Sequence, residues 1–164
     1  MTDLQAILHD FVNPGMGLLP EKMRTPQAQA MLLAIGLQES GFATTVQYGG
    51  GPAHSYWQFE RGGGVKGVLG HPASKDLAAA VCKERGVAVD AMSVWQAMAK
   101  DQVLSAALAR LLLWTDAASI PGLVSENGPA SWMMYLRNWR PGKPHEAAWQ
   151  GHWDAAIKAV RGVA

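Results

Sequence analysis

The segment Ala34 to Phe59, AIGLQESGFATTVQYGGGPAHSYWQF, carries the change from helical to extended chain on which the fold turns. Upstream of it, Thr25 suits a helix N-cap, Pro26 suits the first helical position, and Gly41 stands where a glycine ends a helix. The spacing predicts a helix opening at Pro26 whose apolar stripe takes in Ala28, Met31, Leu32 and Ile35. Glu39 follows Ile35 by four residues and continues that stripe. Downstream, Gly49 to Gly51 and Gly62 to Gly64 mark turns. Between them Ala53 to Glu60 reads as a small hairpin or a looped β-like segment.

Working outward, Leu4 to Val12 reads as a short first helix ended by Asn13-Pro14-Gly15. Helical spacing returns over Ser74–Arg85, Ala91–Ala99, Gln102–Trp114 and Ala130–Trp139, the last stopped by Arg140-Pro141-Gly142-Lys143-Pro144. A final helix carries Trp149, Trp153, Ile157 and Val160 on one face. There is no internal repeat and no low-complexity linker. The expected architecture is mainly α (α+β), with a small β-like insert after the second helix, in one domain over residues 1–164.

Composition narrows the function classes. The chain is 49% apolar and 16% charged, which is the composition of a packed core and not of a disordered segment. A net charge of +1 leaves no electrostatic footprint for nucleic acid. No apolar run approaches a membrane span, so no membrane insertion is expected. Met1-Thr2-Asp3-Leu4 has neither a basic nor an apolar leader region, so no signal peptide is expected. Cys82 is alone, which excludes a disulfide framework and reads as a core thiol on a helix. The five His residues lack metal-ligand spacing, and the Gly runs lack the Lys-Ser/Thr of a phosphate loop. Neither metal nor cofactor is expected.

Glu39 is the leading candidate for chemistry. A carboxylate on the buried side of its helix holds its proton to higher pH, and the negative end of the helix dipole acts in the same direction. Both effects suit a general acid at neutral pH. Glu60 is a second carboxylate that a hairpin would place across a cleft, or else a rim residue paired with Arg61 or Lys66. Gln58 offers an amide for a ligand or for the Gly-rich turn. Ser40 would either cap helix carbonyls or touch Glu39. Tyr56 and Trp57 alternate along an expected strand, so one faces the cleft and the other the core. Tyr135 either donates toward Glu39 or packs in the core.

Glu39-Ser40 at a helix end, followed by Gly51-Pro52-Ala53-His54-Ser55-Tyr56-Trp57-Gln58-Phe59, resembles the lysozyme-like lytic transglycosylases and goose-type lysozymes. In that group a catalytic Glu followed by Ser precedes a segment of the form G-x-x-G-L-M-Q. Gln58 stands nineteen residues after Glu39, close to the spacing of the group, while Tyr56 and Trp57 replace smaller aliphatics. Tyr135-Leu136-Arg137-Asn138-Trp139-Arg140-Pro141-Gly142 is similar to a late Y-N-x-G motif, with the Tyr matched and the Asn displaced. The resemblance covers residues 25 to 60, and residues 102 to 142 as a helical pattern. Trp139-Arg140-Pro141-Gly142-Lys143-Pro144 and the compact size look like a bacteriophage or prophage variant.

The resemblance implies a lysozyme-like fold and a peptidoglycan-degrading enzyme acting on the β-1,4 bond between N-acetylmuramic acid and N-acetylglucosamine. It implies Glu39 as the catalytic acid; the substrate-binding candidates beside it are Ser40, Gln58 and Tyr135, with Tyr56 and Trp57 added by their alternation. A lytic transglycosylase would leave 1,6-anhydro ends with one carboxylate. A goose-type muramidase would use a second carboxylate, for which Glu60 is the candidate. The implied partners are peptidoglycan glycan strands and a phage virion or tail assembly. The implied route is synthesis in a bacterial cytoplasm and delivery to the wall through a holin or a virion. A catalytically silent structural or wall-binding domain of the same fold is the rival reading.

Overall fold

The computed structural model describes residues 2–162. Asp3 accepts a hydrogen bond from the Ala6 amide and so opens α1 (Leu4–Ile7). The helix continues through one wide π-helical turn, Leu8–Val12, into α2 (Asn13–Gly17). The expected stop at Asn13-Pro14-Gly15 is therefore corrected. In the wide turn the Asn13 amide donates back to the Leu8 carbonyl, and Pro14 falls in the first turn of the next segment, where no donor is required.

Helix α3 (Pro26–Glu39) is capped as its sequence suggests, with Thr25 Oγ1 accepting from the Ala28 amide at 3.1 Å. The expected one-sided stripe becomes burial on every side, from Ala30 through Gly36. After α3 come two short strands, β1 (Ala53–His54) and β2 (Phe59–Glu60), paired antiparallel with Ala53 opposite Glu60. A second wide turn, Arg61–Val65, leads into α4 (Lys66–Gly70). Four helices follow the same hydrophobic logic: α5 (Lys75–Glu84), α6 (Ala91–Met98), α7 (Gln102–Trp114) and α8 (Gly128–Trp139). Helix α9 (Glu146–Arg161) closes the fold by packing along α3.

The architecture is thus mainly α with one two-stranded antiparallel sheet after α3. One hydrophobic cluster draws on every helix, with α3 and α7 as its two most buried members. Cys82 lies in this core on α5. No helix among the described residues is long and apolar enough to cross a membrane.

Candidate active site

The end of α3 is built to hold a carboxyl group in place. Gly41 (φ 63°) and Phe42 (φ 55°) are consecutive left-handed residues that reverse the chain. The Phe42 ring folds back under Gly36, where a Cβ would stand 2.1 Å from Phe42 Cζ. Only glycine at position 36 admits that ring. Ser40 Oγ accepts from the Phe42 amide at 3.1 Å and donates to the Tyr56 carbonyl at 2.7 Å. Ser40 thus ties the helix end to the β turn. Its hydroxyl also lies 3.3 Å from the Gly36 carbonyl, the helix-capping alternative of the sequence reading.

Glu39 meets Tyr135 across this junction. The buried Tyr135 hydroxyl donates to Glu39 Oε1 at 2.7 Å. Trp149 of α9 stacks on the Tyr135 ring at 5.1 Å between centroids, and its indole N–H is held by Ser131 Oγ. Burial, then the charge of Glu39 and the hydrogen bond to it, push the Tyr135 phenol far up, so it remains a donor. The other Glu39 oxygen has no partner among the described residues. Every sealed side-chain nitrogen or oxygen among them has one, so this oxygen is open to solvent. Burial raises the Glu39 pKa most, the Tyr135 hydrogen bond lowers it, and the charge of Glu60 raises it; the result is about 7. Desolvation outweighs the hydrogen bond, and near neutrality both protonation states are populated.

A cleft of about 440 Å³ adjoins this pair. It is lined by Gln58, Phe59 and Glu60, by the Gly62–Gly64 turn and the end of α7, and by Arg137, Asn138 and Trp139 at the end of α8. Glu39 does not itself line this space. Helix α8 links the two, because Tyr135 stacks on Trp139 at 6.3 Å. The Trp139 indole is anchored by donating to the Trp57 carbonyl at 2.8 Å and lies edge-on to Phe59.

The sequence candidates fall into two groups. Gln58 and Glu60 line the cleft, and Glu39 and Tyr135 are paired behind it, joined to it by the stacking of Tyr135 on Trp139. Gln58 lines it, yet its Nε2 donates to the Ser55 carbonyl at 2.8 Å, so the amide also holds its own turn. Glu60 is exposed, and it makes no ion pair with Arg61 or Lys66 among the described residues. Trp57 does not reach the cleft, which corrects its reading as a substrate-binding ring, and Tyr56 is not among the residues that line the cleft. Trp57 is fully buried with its indole N–H on the Leu32 carbonyl, and half-buried Tyr56 packs edge-on against Phe11 and Phe42. Alternation failed because residues 55–58 form a turn, with Ser55 (φ 75°) and Gln58 (φ 51°) left-handed at its ends.

Sequence reasoning missed three residues here. Trp139 is the cleft ring, and its signal was its place one helical turn after Tyr135. Asn138 lines the same cleft, with its side-chain amide on Asp116 Oδ2 at 2.9 Å. Trp95 stacks on His54 at 3.8 Å in an adjoining groove that also includes Glu60. Among the described residues no three His, Cys, Asp or Glu side chains gather as a metal cage.

Comparison with protein-family models, curated proteins and solved structures returns no match to the chain. The geometry of Glu39 and its cleft therefore carries the functional reading.

Proposed function

We propose that this chain is a peptidoglycan-cleaving enzyme, a lytic transglycosylase acting on the β-1,4 bond between N-acetylmuramic acid and N-acetylglucosamine. One observation supports the reading above the others: a half-sealed carboxyl group with a pKa of about 7, held on one oxygen by Tyr135 and open on the other. Protonated Glu39 donates from its open oxygen to the glycosidic oxygen as the C–O bond breaks and an oxocarbenium-like centre develops. The resulting carboxylate is stabilised by the Tyr135 hydroxyl. It then accepts the proton of the muramyl 6-hydroxyl as that oxygen closes on the anomeric carbon, leaving a 1,6-anhydro end and regenerating the acid. Trp139 offers a ring face for a sugar, and Asn138 and Gln58, whose amide nitrogens are engaged within the fold, offer their amide oxygens to its hydroxyl and N–H groups.

A muramidase is the second reading, favoured by Glu60, a cleft-lining carboxylate without an ion-pair partner among the described residues. There Glu60 would activate a water that attacks the anomeric carbon. Mass spectrometry of purified peptidoglycan digested in ¹⁸O-labelled water separates the routes. Unlabelled 1,6-anhydro ends support the transglycosylase. Labelled reducing ends favour the muramidase. Binding without any released fragment would mean a silent wall-binding domain.

A further inference from the structure

A second groove, of about 480 Å³, lies between the start of α3 and the end of α7, lined among others by Lys22, Thr25, Arg110, Trp114, Asp116 and Ile120. Arg110 is only 4% exposed, and its Nε donates to the Met23 carbonyl at 2.9 Å. Its guanidinium carbon lies 5.4 Å from the centre of the Trp114 ring, and Lys22 Nζ lies 5.5 Å from the same ring. No carboxylate among the described residues pairs with Arg110. Asp116 shares the groove, but its oxygens accept from the Ala118 amide, Arg137 and Asn138. The two terminal amino groups of Arg110 have no partner among the described residues. Every sealed side-chain nitrogen there has one, so the groove reaches them.

A buried cation left without an anion is costly. Burial lowers the Arg110 pKa to about 10, which still leaves it charged at neutral pH. The ring of Trp114 offsets part of that cost. With Nε fixed, the two free amino groups form the end of the guanidinium fork, whose spacing matches two oxygens of one carboxylate. Lys22 adds a second charge on an exposed stem, and the N-terminal end of α3 adds partial positive charge. Trp114, Leu113 and Ile120 supply an apolar wall beside these donors.

We propose that this groove is a binding site for a small carboxylate with an apolar body, its oxygens on Arg110 and Lys22 and its body against Trp114 and Ile120. The free end of a peptide and a short organic acid share this chemistry. Calorimetric titration of the whole chain with N-acetylalanylalanine, its C-terminal amide, butyrate and inorganic phosphate tests the site. Both carboxylates are expected to bind, and the amide to bind about tenfold more weakly or not at all. Tighter binding of the dipeptide identifies the peptide end as the source; equal or tighter binding of butyrate identifies an organic acid. Lys22→Glu should weaken carboxylate binding by about tenfold without moving the melting temperature. Lys22 is exposed, so this variant remains informative even if Arg110→Lys does not fold. Amide binding within about threefold of the acid, unchanged binding by Lys22→Glu, or phosphate binding tighter than either carboxylate would overturn the proposal. Wall lysis should be unchanged in Lys22→Glu, so failure here leaves the reading of Glu39 untouched.

Discussion

Glu39 and Arg110 each sit near the C-terminal end of a buried helix, and each has been taken out of water, yet the consequences are opposite. Burial pushes the Glu39 carboxyl up to about 7 and the Arg110 guanidinium down to about 10. The same desolvation therefore makes a proton switch at one site and leaves a fixed charge at the other. The starting pKa of the side chain decides which. The partners differ accordingly. Among the described residues, Tyr135 holds one oxygen of Glu39 and leaves the other free, whereas Arg110 has a carbonyl and a ring but no counter-ion.

The largest expected effect comes from removing the switch. Glu39→Gln should lower peptidoglycan cleavage by about a hundredfold or more, read by turbidity clearing of purified walls. It also carries a stability signature. Between the ordinary value of 4.5 and about 7 the folded state binds this proton more tightly than the unfolded chain, so wild-type stability declines as pH rises through that window. The decline amounts to about 3 kcal/mol once pH exceeds about 8. Glu39→Gln lacks that decline and should melt higher than wild type at pH about 8 but not at pH about 4. Equal melting differences at both pH values, or cleavage above about a tenth of wild type with the fold intact, would remove Glu39 from its role.

The two tryptophans sharpen the contrast between core and cleft. Trp57→Ala should cost about 3–5 kcal/mol of stability in denaturant unfolding, because its ring is fully enclosed. Trp139→Ala should instead weaken binding of chitin oligomers by about 1–2 kcal/mol in calorimetry. If Trp57→Ala folds normally and loses saccharide affinity while Trp139→Ala keeps it, the cleft lies elsewhere.

Tyr135→Phe should slow cleavage by about tenfold, since the carboxylate left after proton donation loses its donor. Its pH profile is the more telling readout. The Tyr135 hydrogen bond lowers the Glu39 pKa, so its loss should move the alkaline fall of activity to higher pH. A profile displaced to lower pH would contradict the assignment.

Glu60→Gln is expected to have the smallest effect, a loss of about threefold or less. The charge of Glu60 raises the Glu39 pKa, so the alkaline fall should move slightly to lower pH. An inactive Glu60→Gln would favour the muramidase.

Much of the acid's setting was legible in the sequence, because it rests on local rules. Thr25 and Pro26 open α3, Gly41 closes it, and Glu39 stands where those signals put it. Tyr135 was visible as a candidate, but its contact with Glu39 spans ninety-six positions and depends on where the fold places α8 relative to the end of α3. The cleft ring was misassigned for a local reason. Alternation presumes a pleated strand, and left-handed Ser55 and Gln58 bend residues 55–58 into a turn that drives Trp57 inward. Pro14 misled because a wide helical turn ahead of it changes the hydrogen-bond register, which no composition signal announces. Arg110 was passed over within an apolar helix, where only the three-dimensional structure reveals a buried cation without a counter-ion among the described residues.

The most direct measurement is the titration of Glu39 itself, followed by the ¹³C shift of its side-chain carboxyl with Glu39→Gln as the assignment control. A midpoint at about 7 is expected, with Tyr135→Phe displacing it upward. A midpoint near the ordinary 4.5, unmoved by Tyr135→Phe, would mean a solvated surface carboxylate and would contradict the general-acid reading.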